Sequence, residues 1–207
     1  MEIVIPEDSL GTFVIYPVHR MRLMKIILHE VGHWVLSRRF GFKVGQIRIC
    51  WLYEGGQYDC WASNDTARRL LNTADIELFI EERILVLFAG AMAESLDEGK
   101  VDSKAACDVL TNGGGRNDEG KISEFIHLLI NIRYAFLDDD AVFKKAEIDV
   151  TKELWDKTKA LVESYHEVIS ALAEEINSKV IRGGEEYIFS EEDLQTLLDL
   201  CETSKAN

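Results

Sequence analysis

Residues 27–36 read ILHEVGHWVL, which sets two histidines and a glutamate inside a run of large apolar side chains. Burying a polar group without a partner costs about 1–3 kcal/mol by mutational measures, and burying a charge costs far more. A chain that keeps three titratable groups in such a run must give each something to hold. The run also has the bounds of a helix: Pro17 suits a first helical turn, and Gly41 after Phe40 is a natural stop. Apolar on most faces near its middle, this helix belongs at the centre of the fold. His29 and His33 stand at i and i+4 on it, so both rings leave one face, a turn apart. The spacing is that of HExxH, in which two imidazole nitrogens reach one zinc ion at about 2.0–2.1 Å. Glu30, one step round the helix, can reach a water beside the ion and act as general base. Gly32 leaves room for whatever packs over the site. The bland alternative is a pair of hydrogen-bonded core histidines.

The rest of the chain predicts an α+β, mostly helical protein. With 207 residues, 47% of them hydrophobic, and only two prolines, it can build one core without a flexible linker. We expect a core over residues 1–140 and a helical C-terminal subdomain over 141–207, packed together as one compact unit. In KVGQIRICWLYEGGQYDCWAS, Ile47, Ile49 and Trp51 alternate with Arg48 and Cys50, and Gly55-Gly56 separates two such runs, which predicts a β-hairpin. ADIELFIEERILVLFAGAMAESL reads as a second buried helix whose Ala89, Gly90, Ala91 and Ala93 permit close approach. A short helix, SKAACDVLT, precedes the break NGGGRND, and KISEFIHLLINIRYAF resumes helical periodicity. An amphipathic helix is expected from about Thr151 to Val180, closed by Arg182-Gly183-Gly184. Ser190, three residues before Asp193, caps a last helix.

Charge and cysteines narrow the partners. A net charge of -14 repels phosphate backbones and anionic membranes, so nucleic acid and membrane surfaces are not expected partners. Cys50, Cys60, Cys107 and Cys201 show no CxxC pairing and read as reduced thiols of a cytoplasmic protein. The acidic opening MEIVIPEDSLG is not a signal peptide, and no stretch has the apolar length of a membrane span. GRNDEGK fits the GxxxxGK of a phosphate loop, but Ile122 stands where magnesium needs Ser or Thr, helix rather than strand precedes it, and two acids would face the phosphates.

A catalytic zinc takes a third protein ligand from elsewhere and leaves its fourth position to water. His19, His127 and His166 lie in no matching pattern, which leaves a downstream carboxylate. The chain here resembles the peptidase domain of the FtsH-type AAA zinc metalloproteases over most of residues 15–200. HEVGHWVLSRRFG stands where that family has HEAGHA and its helix, FAGAMAESL where it has an AGRAAE-type helix, and GGRND where it has GASND. The resemblance implies a zincin-like fold, a Zn2+ cofactor and Asp118 as the third ligand. The stretch EGKVDSKAACDVLTNG between the last two motifs is longer than the family's pattern, which keeps Asp108 in contention. Glu94 would complete a His-His-Glu set, or else orient one of the histidines from behind. ASND at 62–65 imitates the aspartate motif but is out of order.

The resembled family joins this domain to an ATP-driven motor and a membrane anchor, and neither is found in these residues. The expectation is a free-standing zinc metallopeptidase, ATP-independent, that cuts peptides or unfolded proteins; an oligomer is not indicated. VGQIRICWL after the zinc helix is the expected sheet edge for substrate, with Ile47 and Ile49 as its test positions. Two other functions are weighed: a peptidase-like protein that no longer cuts and binds a partner, which the intact Glu30 argues against, and a dedicated protease with one regulatory substrate. A helical adaptor with core histidines is the non-enzymatic remainder.

Overall fold

The structure, a computed structural model, describes residues 11–53, 55–134 and 139–203, the last four by backbone alone. The expectations for residues 1–10, for Cys201 and for Ala135 and Phe136 at the end of a helix lie outside what is described. A short strand, β1 (Phe13–Val14), leads into helix α1 (Pro17–Arg39), which has Pro17 in its first turn. Gly41 follows its end at a φ of 72°, a conformation that costs glycine little. Leu23, Ile27, Val31 and Leu36 of α1 are wholly buried, so the helix is central as its composition requires.

Strands β2 (Lys43–Trp51) and β3 (Tyr58–Asp65) form the expected antiparallel hairpin. Ile47, Ile49 and Trp51 enter the core, while Arg48 on the other face pairs with Asp59 and Glu186. The Trp34 indole donates to the Gly45 carbonyl at 2.9 Å, pinning α1 to the irregular step between Val44 and Ile47. Helix α2 (Thr73–Glu94) starts at Asn72, whose side chain accepts the Asp75 amide at 3.0 Å. From Ile84 to Ala93 every residue of α2 is buried. It meets α1 where both are small: a Cβ on Gly32 would lie 2.6 Å from the Ala89 carbonyl oxygen and 2.6 Å from the Ala93 methyl.

A small hairpin, β4 (Leu96–Asp97) and β5 (Lys100–Val101), fills part of the long connection, and α3 (Ser103–Asn112) follows, capped by Asp102. Helix α4 (Arg116–Arg133) begins earlier than the sequence suggests, directly after the glycine run, so Asp118 sits in its first turn rather than in a loop. An acid in a first turn complements the helix dipole, which favours starting there. The single helix expected over 151–180 is two, α5 (Asp140–Ser164) and α6 (His166–Lys179), broken at Tyr165. His166 Nδ1 lies 2.7 Å from the Glu163 carbonyl oxygen, occupying an acceptor at the break. Two further strands, β6 (Arg182–Gly183) and β7 (Glu186–Phe189), precede α7 (Glu191–Thr203). The Ser190 hydroxyl accepts the Asp193 amide, and Asp193 accepts the Ser190 amide, the reciprocal cap that the sequence indicates.

The central sheet is antiparallel with order β3-β2-β7, and β1 pairs with β6 beside it. The segment after residue 140 therefore packs α5 on α2 and α6 on α1, and adds β7 to the central sheet. This arrangement corrects the expectation that β2 offers an open edge. β7 covers β2 from Ile47 to Cys50, which puts β2 in the middle and leaves β3 and β7 as the edge strands. Ile47 and Ile49 are core residues, so replacing them tests folding and not peptide docking. The α+β, mostly helical class holds. Among the described residues no helix is long and apolar enough to cross a membrane.

Candidate metal centre

Helix α1 carries His29 and His33 toward α2 and α4, and the groups behind each ring fix its orientation. His33 Nδ1 lies 2.8 Å from the Val86 carbonyl oxygen on α2, and a carbonyl only accepts, so this nitrogen carries the proton. His29 Nδ1 lies 3.1 Å from Glu94 Oε2 and donates to it in the same way. Both rings therefore turn Nε2 forward. The two Nε2 atoms face one oxygen, Asp118 Oδ2, each at 3.2 Å, and the ring centroids are 4.7 Å apart. In neutral rings that leaves two nitrogen lone pairs and a carboxylate oxygen pointed at one another. Three acceptors converge only around a proton or a cation.

The pocket is shaped for that convergence. A Cβ on Gly90 of α2 would lie 2.7 Å from His29 Nε2 and closer still to His33 Nε2, so only glycine leaves space there. Burial alone would lower the pKa of His29, but its bonds to Asp118 and Glu94 outweigh it and raise the ring to about 10. Burial would raise the Asp118 carboxyl, yet the two histidines outweigh it and hold it well below the ordinary range. Asp118 is thus ionised, and His29 keeps a proton that a bound cation would replace. His29, His33 and Asp118 are the one group among the described residues whose ligand atoms lie within 4.8 Å of one another in a metal-holding set. Two imidazoles and a carboxylate suit zinc and other borderline divalent ions.

Glu30 stands beside the cluster and is held against β3, where Oε2 accepts the Ala62 amide at 2.8 Å. Burial pushes its carboxyl above the usual range, offset in part by the two rings. A cavity of about 70 Å3 opens beside it, lined by Ile26, His29, Glu30, Tyr58, Cys60, Glu94 and Gly114. Its size is that of a side chain rather than a whole ligand.

The other candidates separate cleanly. Glu94 stands behind His29, in the orienting position. Asp108 is exposed on α3 and makes no part of the cluster. Asp65 of the ASND stretch caps the Ala67 amide at the end of β3. His19 lies against Trp51, His127 pairs with Glu147, and His166 closes α5. Two contributors had no sequence signal: the Val86 carbonyl and the Tyr58 phenol. Tyr58 reaches the cleft because β3 is an edge strand facing α1, which only the pairing register reveals. Its ring stacks on Trp51, and a Cβ on Gly114 would lie 2.8 Å from its hydroxyl. No family model and no curated protein matches this chain.

Proposed function

We propose that this chain is a zinc-dependent metallopeptidase with a zincin-like arrangement, akin to the FtsH-type peptidase domain it resembles. The observation that carries the reading is the convergence of His29 Nε2, His33 Nε2 and Asp118 Oδ2, with Glu30 on the neighbouring position of the same helix. His29, His33 and Asp118 would hold the ion. Zinc bound there supplies Lewis acidity, which acidifies water toward a pKa of about 7 and polarises a carbonyl. The protein's own residues do the rest. Glu30, with its carboxyl raised by burial, is a base strong enough to take a proton from water and to return it to the leaving amine. Glu94 and the Val86 carbonyl hold the rings in the productive tautomer. The Tyr58 hydroxyl at the cleft can donate to the oxygen on which negative charge develops.

The substrate lies extended along β3. Ala62 points its amide outward to Glu30, and by strand alternation Cys60 and Asn64 turn their backbone groups to the same outer edge. A side-chain-sized cavity beside that edge fits one residue of an extended or unfolded segment. The free thiols of Cys50, Cys60 and Cys107 suit a reducing, cytoplasmic setting.

The test is metal content by mass spectrometry on wild type, His33→Ala, Asp118→Ala and Asp108→Ala after zinc exposure. We expect one zinc in wild type and Asp108→Ala, and loss in the other two. Casein cleavage then distinguishes wild type from Glu30→Gln, which should keep zinc and lose 10²–10⁴-fold in rate. A wild type that stays metal-free ends the reading.

A further inference from the structure

The half-buried arginines of this acidic chain are satisfied, with one exception. Arg20 donates to the Val180 and Ile181 carbonyls. Arg48 pairs with Asp59 and Glu186, Arg68 with Glu82, and Arg133 with Glu77, Glu81 and Glu153. Arg83 of α2 has no carboxylate at ion-pair distance among the described residues. Its guanidinium rests over the Phe42 ring at 5.6 Å and makes one long bond, 3.4 Å, to Asn64 Oδ1. Acids outnumber bases 37 to 23 here, so a half-buried cation left without an acid is not for want of acids.

Its position gives it a use. Arg83 lies one turn along α2 from Val86, whose carbonyl holds His33. Asn64 is on the edge strand β3, two residues past the Ala62 amide that holds Glu30, and is tied to α1 through the Ser37 hydroxyl at 3.0 Å. Arg83 therefore sits at the Asn64 end of the edge along which the proposed peptide runs, opposite the Tyr58 end, and within reach of the Asp118 field. We infer that Arg83 is a specificity-determining residue that binds a carboxylate of the peptide in the cleft, either an Asp or Glu side chain or a terminal carboxylate. The inference rests on the peptidase reading for the peptide itself. A planar fork with unused donors is the group best matched to a carboxylate. The overall charge of -14 does not oppose this, because at physiological salt charges beyond about 8 Å are largely screened.

The experiment follows the Arg83 side-chain Nε–H signal by NMR in zinc-exposed Glu30→Gln protein, which binds without cutting. It is titrated with three pentapeptide pools: one capped at both ends with a single Asp, one capped at both ends with Asn in its place, and one neutral and capped only at its N-terminus, with a free C-terminal carboxylate. We expect a carboxylate pool to shift the signal and bind about tenfold or more tightly than the Asn pool; which of the two does so identifies the source. Arg83→Gln should erase the preference while retaining wild-type zinc content, and Arg83→Lys should keep a weaker one. Equal affinity for all pools, or no shift of the Arg83 signal with any of them, overturns the inference. Zinc content and casein cleavage measured in parallel keep the two ideas apart: a protein that cuts without carboxylate preference sinks this inference alone, and one that takes up no zinc sinks the peptidase reading.

Discussion

Replacing Gly90 with alanine should damage metal binding far more than folding, and the structure gives the sizes. A methyl there would lie 2.7 Å from His29 Nε2 and nearer to His33 Nε2. Ordinary contact needs about 3.5 Å, so the His29 ring has to retreat by roughly 0.8 Å. Metal sites tolerate about 0.2 Å in ligand position. The rings cannot shift freely, because Glu94 and the Val86 carbonyl hold their far sides. Displacing a ligand that far should weaken zinc by 100-fold or more, beyond the 10–100-fold typical of removing an orienting partner. Helix propensity runs the other way: alanine in place of glycine stabilises a helix interior by up to about 1 kcal/mol. Gly32→Ala is the control, since its methyl meets the Ala89 carbonyl and the Ala93 methyl instead of the rings. That overpacks the α1–α2 contact at a cost of about 1–3 kcal/mol. The assay is zinc affinity by competition with a chelating dye, beside urea unfolding of the metal-free proteins. Gly90→Ala with wild-type affinity within threefold would refute the placement of the ion between these rings.

Three more outcomes are expected. Glu94→Gln should lower zinc affinity 10–100-fold in the same dye competition, while a wild-type value would deny Glu94 its orienting role. Zinc should bind more tightly as pH rises, by about tenfold per unit from pH 6.5 to 9, because the His29 proton, held to about 10, must leave. A raised histidine pKa stabilises the metal-free fold fully below its unfolded value of 6.5 and loses that contribution as pH climbs toward about 10, so metal-free protein should weaken over that window in urea titrations and zinc-loaded protein should not. Tyr58→Phe should reduce kcat about 100-fold with KM and zinc content unchanged, and an unaltered kcat would remove the phenol from the reaction.

What could be read from the residues was whatever depends on local period and chain direction. Pro17 and Gly41 bounded α1, the alternation at Ile47–Trp51 gave the hairpin, and Ser190 with Asp193 gave the last cap. What could not be read depended on long-range pairing. YIF, at residues 187–189, is too short and too close to Gly184 to announce itself as a strand, yet as β7 it takes the second edge of β2 and leaves β3 and β7 at the sheet's edges. The break at Tyr165 was hidden for a related reason. Leu154, Val162, Ile169, Leu172 and Ile176 are all wholly buried, so the apolar pattern runs across two helices without a gap in composition.

The candidate metal cluster follows the same division. His29, Glu30 and His33 needed only one helix to be seen, because i and i+4 share a face whatever the tertiary fold. Asp118 lies 85 residues from His33, and no periodicity links them. Its motif suggested it, but its chemistry becomes legible only once α4 starts at Arg116 and aims the first turn at α1. Glu94 shows why the distinction matters. By residue type it was as good a ligand as Asp118, yet it meets His29 at Nδ1 and leaves Nε2 to the other acid. Which nitrogen faces which carboxylate decides whether an acid grips the ion or steadies the ring that does, and no spacing in the sequence encodes that choice.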